Sequence, residues 1–310
     1  MKRGNSIAKV TRGNLLWPWM GRFFQILAIF LLPLVLVVGL YVFGLTLPVP
    51  HLGRDYVITL RLPEAGQPVD LPKIYGPPDN SRPLVLIDPG HGGKDPGAVS
   101  GGRREKDLVL ALALAVKDRL IEEGGIRVAL TREDDTFLVL QERPEIARRM
   151  NADLFISLHA DSAGEIDTAY GASVYTLSRE ASSEAAARFA NRENSADLLN
   201  GVVVKNQSDP VNDILVELSQ RRVQETSREF GELIEREGRG KHRFHSQVQR
   251  SAALAVLRAP DVPAVLFEVG FLTNTTDAEQ LSSKEGQDQF AAFLARSIRV
   301  FFARRSTEES

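Results

Sequence analysis

Three apolar runs in this chain end in side chains that can hold or activate something. "LVLIDPGH" ends in His91, "LFISLHAD" in His159 and Asp161, and "AVLFEVG" carries Glu268. In open α/β sheets ligands gather at the carboxyl ends of strands, so three such ends point to one shared site. Glu105 follows His91 by 14 positions, at the start of a helical pattern where the helix dipole favours a carboxylate. Two histidines and a carboxylate, with a fourth position open to water, form a common ligand set for catalytic zinc. A second carboxylate that is not a ligand can then take a proton from water. Glu268 is the candidate for that role, because a glutamate without a partner in an apolar strand is costly to bury.

Each residue taken alone has a plainer reading. His91 could be a structural strand-end histidine, and Glu105 a solvated member of the charge run "RREKD". The loop "GHGGKDPG" lacks both the G-x-x-x-x-G-K-[ST] and the G-x-G-x-x-G spacing, which argues against a phosphate cradle. His242 and His245, in the basic stretch "GRGKHRFHSQ", read as solvated surface, and His51 as interfacial beside an apolar segment. With no cysteine among the 310 residues, thiolate ligands, cysteine nucleophiles and disulfides are excluded. The formal net charge of -2 gives no pull toward nucleic acid.

The elements that must position these residues alternate. Strand patterns at 84–88, 126–130, 154–158, 171–177 and 264–270 are interleaved with helical patterns at 107–123, 143–150 and 284–303. This predicts an α/β fold, a single catalytic domain with a central, mostly parallel sheet of about six strands flanked by helices. Residues 179–250 break the rhythm as a long, charged, mostly helical insertion.

The amino-terminal part is of another kind. No charged residue occurs between Phe23 and Pro50, and the 22 residues from Ile26 to Leu47 are almost all apolar. At about 1.5 Å per residue that run reaches roughly 30 Å, the thickness of a bilayer core. Lys2, Arg3, Lys9, Arg12 and Arg22 precede it without any acid, which by the positive-inside rule keeps the N-terminus cytoplasmic. The expected organisation is a basic cytoplasmic N-terminus (1–22), a transmembrane signal anchor (23–47), a Pro/Gly-rich periplasmic linker with one short alternating stretch, "YVITLRL" (48–82), the catalytic domain (83–304) and a short tail (305–310). The expected location is a membrane, single-pass, with the catalytic domain on the side opposite the N-terminus.

"VLIDPGHGGKDPGA", "REKD", "ADLFISLHAD" and "VLRAPDVPAVLFEVGFLTN" resemble, in order and spacing, the motifs of the zinc-dependent N-acetylmuramoyl-L-alanine amidases, the bacterial cell-wall amidases of the AmiA/AmiB/AmiC type. The resemblance implies one zinc ion held by His91, Glu105 and His159, with Glu268 as the catalytic residue. It implies hydrolysis of the amide joining N-acetylmuramic acid to L-alanine in peptidoglycan, for septal splitting and cell separation. For the location it implies the bacterial inner membrane, with the catalytic domain in the periplasm. Family members that need an activator protein carry a helical segment that covers the zinc and places a glutamate on it. "AARFANRENSADLLNG" and "SDPVNDILVELSQRRV" resemble that segment, with Glu193 the first choice for the blocking residue and Glu217 the second. Residues 51–83 are too few for the wall-targeting domain that many relatives carry. Alternatives are another peptidoglycan-directed zinc peptidase or amidase, and a catalytically idle protein binding wall or divisome partners.

Overall fold

A computed structural model describes residues 71–162, 169–196 and 213–308, with scattered positions between 27 and 38; the side chains of 213–220 and 308 are not among those described. The chain divides into two compact units, Met1–Thr59 and Leu60–Ser310, and the fold below is that of the second. Among the described residues no helix is long and apolar enough to cross a membrane. Most of the expected anchor at 23–47, together with His51 and the "YVITLRL" stretch, lies outside the described residues.

The chain order is β1 (Leu84–Pro89), β2 (Val99–Ser100), β3 (Arg103–Arg104), α1 (Glu105–Glu123), β4 (Arg127–Leu130), α2 (Glu142–Arg149), β5 (Leu154–His159), β6 (Ala172–Leu177), α3 (Glu184–Asn194), α4 (Asp213–Gly238), β7 (Phe244–Ala252), β8 (Ala264–Glu268), α5 (Thr275–Ser282) and α6 (Lys284–Glu308). Six strands form one sheet in the order β4-β1-β5-β8-β6-β7, and β2 and β3 form a small separate hairpin. All neighbours in the large sheet run parallel except β6 and β8, which are antiparallel. The expected mostly parallel α/β sheet is therefore present.

Successive strand residues point to opposite faces, and here the alternation divides the core in two. Val85, Ile87, Ile156, Leu158, Val265 and Phe267 pack with α1, α4 and α6. Leu84, Leu86, Phe155, Ala264 and Leu266 pack on the other face with residues of α2 and α3. Asp88, Ser157, His159 and Glu268 continue the second phase at the strand ends, where Asp88 pairs in register with Ser157 and His159 with Glu268. Strand periodicity alone thus delivers these polar side chains to one end of one face.

Two expectations are corrected. The segment 179–250 is not wholly an insertion: it contains edge strand β7, and Phe230, Leu233 and Ile234 of α4 belong to the main core. The sequence "FHSQVQRSA" conceals β7 because an edge strand is half-exposed and carries polar residues on both sides. His242 is not a solvated histidine either. Its ring sits among Phe244, Phe267, Phe290 and Phe293, and its Nε2 lies 2.7 Å from the Val269 carbonyl. Burial holds its pKa below the usual imidazole value, as expected for a neutral ring that donates to a carbonyl.

Beneath the β1 end lies a buried ionic clamp. Asp88 accepts hydrogen bonds from Thr131 Oγ1 (2.6 Å), Ser157 Oγ (2.7 Å) and Arg143 Nη1 (2.7 Å). Arg143 also donates to the carbonyls of Pro89 (3.1 Å) and His91 (2.8 Å). Arg132 adds donations to Pro89 O (2.9 Å), Gly90 O (2.8 Å) and Lys106 O (2.9 Å). Two guanidinium groups therefore fix the backbone on which His91 stands. Burial opposes ionisation of Asp88, but Arg143 and the two hydroxyls outweigh it and hold the carboxyl below its usual range. Breaking a buried pair from one side costs about 3–5 kcal/mol, so Arg143→Met is expected to lower unfolding free energy by that amount in urea titrations. Because the folded pKa of Asp88 is depressed, its contribution is present above about pH 4 and is lost as pH falls through the folded value. Asp88→Asn should remove that share of the acid sensitivity; an unchanged acid profile would refute the assignment.

Candidate metal centre

His91 stands two residues beyond β1 with φ 58°, a left-handed conformation that is uncommon outside glycine. The carbonyl contacts of Arg143 hold it there. Its Nδ1 faces Asp95 Oδ2 at 2.8 Å, the kind of carboxylate contact that fixes the tautomer of a metal-binding histidine. Its Nε2 lies 3.1 Å from Glu105 Oε1 but has no hydrogen-bond partner, although it is buried.

Glu105 is the first residue of α1, where helix amides and the dipole favour an anion. Oε2 accepts from the Ala98 amide (2.8 Å) and Oε1 from the Ala160 amide (2.9 Å). His159 closes the set with Nδ1 3.2 Å from Glu105 Oε1. Two glycines make room for this crowding. A Cβ on Gly90 would come within 2.5 Å of the His159 ring, and one on Gly97 (φ +63°) within 2.6 Å of both Glu105 Oε2 and His91 Cδ2.

A fourth donor arrives from α3. Glu193 Oε2 lies 3.5 Å from His159 Nδ1 and 4.0 Å from His91 Nε2, and its side chain is 12 % exposed. Ligand atoms of His91, His159 and Glu193 all lie within 4.8 Å of one another. Of the two glutamates singled out in the insertion, the structure brings Glu193 to the site. Glu217 lies in α4 where side chains are outside the described residues.

Glu268, at the end of β8, sits beside this set. Its Oε2 accepts from the Asp161 amide at 2.9 Å, while Oε1 is buried with no hydrogen-bond partner. Burial pushes its pKa well above the carboxylate range, and Asp161, Glu105 and Glu193 push it further. Asp161 is driven up to about 7 by burial, with Arg192 opposing and Glu193 and Glu105 adding to the rise. Burial opposes charge on both Glu105 and His91, yet their attraction holds Glu105 well below and His91 well above its usual value.

This is a site with too much negative charge for its partners. Two imidazole nitrogens, one of them without a partner, carboxylates of Glu105 and Glu193 within 4.0 Å of them, and a further buried carboxylate oxygen suit a divalent cation with nitrogen and oxygen ligands. The residues present therefore fit a metal, and the donor set fits zinc.

All four residues named at strand and helix ends, His91, Glu105, His159 and Glu268, are brought together. Sequence reasoning missed Arg132, Arg143, Asp88 and Asp95, which hold the ligands, and Arg192. Asp88 offered one signal, an acid closing the apolar run "LVLID". Arg132 and Arg143 offered none, since they reach the site through contacts distant in sequence, such as Pro89 O for both, more than 40 residues away.

A profile of the N-acetylmuramoyl-L-alanine amidase family, Amidase_3, matches residues 85–300. AmiA of Salmonella typhimurium, an N-acetylmuramoyl-L-alanine amidase, is 37% identical over 224 residues, 72% of this chain and 77% of its own. AmiC of Neisseria meningitidis, of the same name, is 38% identical over 223 residues, 71% of this chain and 53% of its own, so the match spans about half of that relative. Among solved structures, the N-acetylmuramoyl-L-alanine amidase AmiC2 of Nostoc punctiforme aligns with a TM-score of 0.51 at 30% identity, covering 71% of this chain and 97% of that one. With a profile running from β1 into α6 and relatives above one third identity across the same span, this chain belongs to the N-acetylmuramoyl-L-alanine amidase family.

Proposed function

We propose that this chain is a zinc-dependent hydrolase of the amide bond between N-acetylmuramic acid and L-alanine in peptidoglycan, acting in septal splitting and cell separation. The observation that carries the reading is the convergence of His91 Nε2, His159 Nδ1 and Glu105 Oε1 beside a buried, partly unsatisfied Glu268, in a chain of this family. His91, Glu105 and His159 would hold the zinc, which supplies Lewis acidity to polarise a carbonyl and acidify water.

The remaining steps belong to the protein. Asp161 N–H fixes one oxygen of Glu268 and leaves Oε1 to accept a proton from the attacking water. Glu268 then returns that proton to the leaving nitrogen of L-alanine, the double role of a base turned acid. Glu268→Gln is expected to keep its zinc and lose about 100-fold or more of its rate on purified sacculi. A zinc-loaded variant that digests sacculi at the wild-type rate would overturn the mechanism.

Glu193 supplies the regulation in this reading. From α3 it reaches the two histidines and takes the space that substrate and water need, so the resting chain is autoinhibited and an activator protein must displace α3. Glu193→Ala is expected to raise basal hydrolysis about tenfold or more, within the usual range of a coupling between states. A folded, zinc-loaded variant with unchanged or lower activity would count against the blocking role.

The uncharged run at 23–47 behind a basic N-terminus supports an uncleaved anchor in the inner membrane, with the linker (48–82) and catalytic domain on the periplasmic side. Tagged at its C-terminus, the full chain should fractionate with inner membranes after carbonate washing and be digested by protease added to spheroplasts. A shortened chain released in soluble form would show instead that the segment is cleaved.

A further inference from the structure

Beyond Glu268, on the same face of the sheet, lies a guanidinium that the proposed mechanism does not use. In register, Tyr175 of β6 pairs with Leu266 of β8 on one side and with Arg250 of β7 on the other. Leu266 shares the face of Glu268, so Tyr175 and Arg250 share it too. Tyr175 is covered by Phe189 of α3, with ring centroids 4.5 Å apart.

Arg250 is half-buried, and no carboxylate pairs with it among the described residues. Its Nε donates to Gln247 O (3.1 Å), Nη1 to Tyr175 Oη (3.2 Å) and Nη2 to His245 Nδ1 (2.9 Å). All three partners are neutral groups; Arg250 and burial together keep the His245 pKa low. Nη2 is shared between the two ring nitrogens of His245, with Nε2 at 3.3 Å, so the guanidinium charge meets only neutral acceptors. A carboxylate that takes two parallel hydrogen bonds from the Nη1–Nη2 fork is the ligand that would replace them.

The strand order gives the fork a direction. Across β1, β5, β8, β6 and β7 the side chains run His91, His159, Glu268, Tyr175, Arg250. The scissile carbonyl belongs at the histidines and the leaving nitrogen at Glu268, so the peptide released with that nitrogen extends over β6 and β7. Ser173 faces Glu268, and Arg250 is level with Leu266, so about 10 Å across two strands and about 7 Å along them separate it from Glu268 by about 12 Å, which three residues of extended peptide and the reach of the arginine side chain cover.

We propose that Arg250, framed by Tyr175 and His245, is a subsite for a carboxylate of the leaving peptide, within about three residues of the cleaved bond. The assignment deepens the reading above and rests on Glu268 serving the leaving nitrogen. It makes the enzyme selective for stem peptides with a free carboxylate near L-alanine over the same peptides amidated there.

The test is equilibrium binding of L-alanyl-D-glutamate and of its bis-amide, by calorimetry, to the full-length, zinc-loaded Glu193→Ala chain, in which the carboxylate from α3 no longer occupies the site. A charge-assisted pair predicts tighter binding of the acid by about tenfold or more. Arg250→Met should abolish that preference without weakening the amide, and Arg250→Lys should keep part of it. Equal binding of acid and amide by the Glu193→Ala chain overturns the proposal, as does an added Arg250→Met substitution that weakens binding of both alike or of neither. Binding needs no turnover. A Glu193→Ala chain that shows the preference yet leaves N-acetylmuramoyl-L-alanyl-D-glutamate intact keeps the subsite and loses the amidase reading, whereas hydrolysis without the preference loses the subsite alone.

Discussion

Glu105, Glu193, Glu268 and Asp161 share a nearly dry space at one edge of the sheet, and like charges so placed cannot all stay ionised unless something positive joins them. His91 and His159 answer part of that charge, and Arg192, which pairs with Asp161, answers another part. What is left shows in the directions the groups take: Glu268 and Asp161 are driven toward their protonated forms, while Glu105 holds its charge through the histidines. A structure that accepts this arrangement has traded stability for an affinity toward cations, and the rest of the domain serves to keep the acids in place.

The supporting architecture is ordered by depth. The parallel strands β1, β5 and β8 are buried on both faces and give rigid platforms whose ends coincide. Below those ends the Asp88–Arg143 pair and the carbonyl contacts of Arg132 convert irregular backbone into a fixed mount for His91. Backbone amides of Ala98 and Ala160 hold Glu105 from outside the metal set, and amides move less than side chains do. The antiparallel entry of β6 then widens the same face without disturbing the parallel core, placing Tyr175 and Arg250 beside the site rather than in it.

What the sequence disclosed follows from this layering. Uniformly apolar runs marked β1, β5 and β8, and because a buried strand end tolerates few polar residues, His91, His159 and Glu268 stood out as exceptions. Glu105 was legible through its place at a helix start. The edge strand β7 was hidden by its exposed, polar alternation, and His242 was misread because its aromatic neighbours, apart from Phe244, come from distant β8 and α6. Glu193 stood among similar surface charges, and no local pattern distinguishes it from Glu184; the fold alone turns its side chain inward.

The last turn of α3 is held by a side chain that imitates backbone. Asn194 Nδ2 donates to Ala253 O at 2.8 Å, and its Oδ1 accepts from the Ala255 amide at 2.8 Å. Its neighbour in the chain is Glu193. A carboxylate tethered one residue from such a rivet cannot be withdrawn by swinging the helix as a rigid rod about its far end. Withdrawing Glu193 therefore requires either that both amide contacts of Asn194 part together or that the terminal turn unwinds around it.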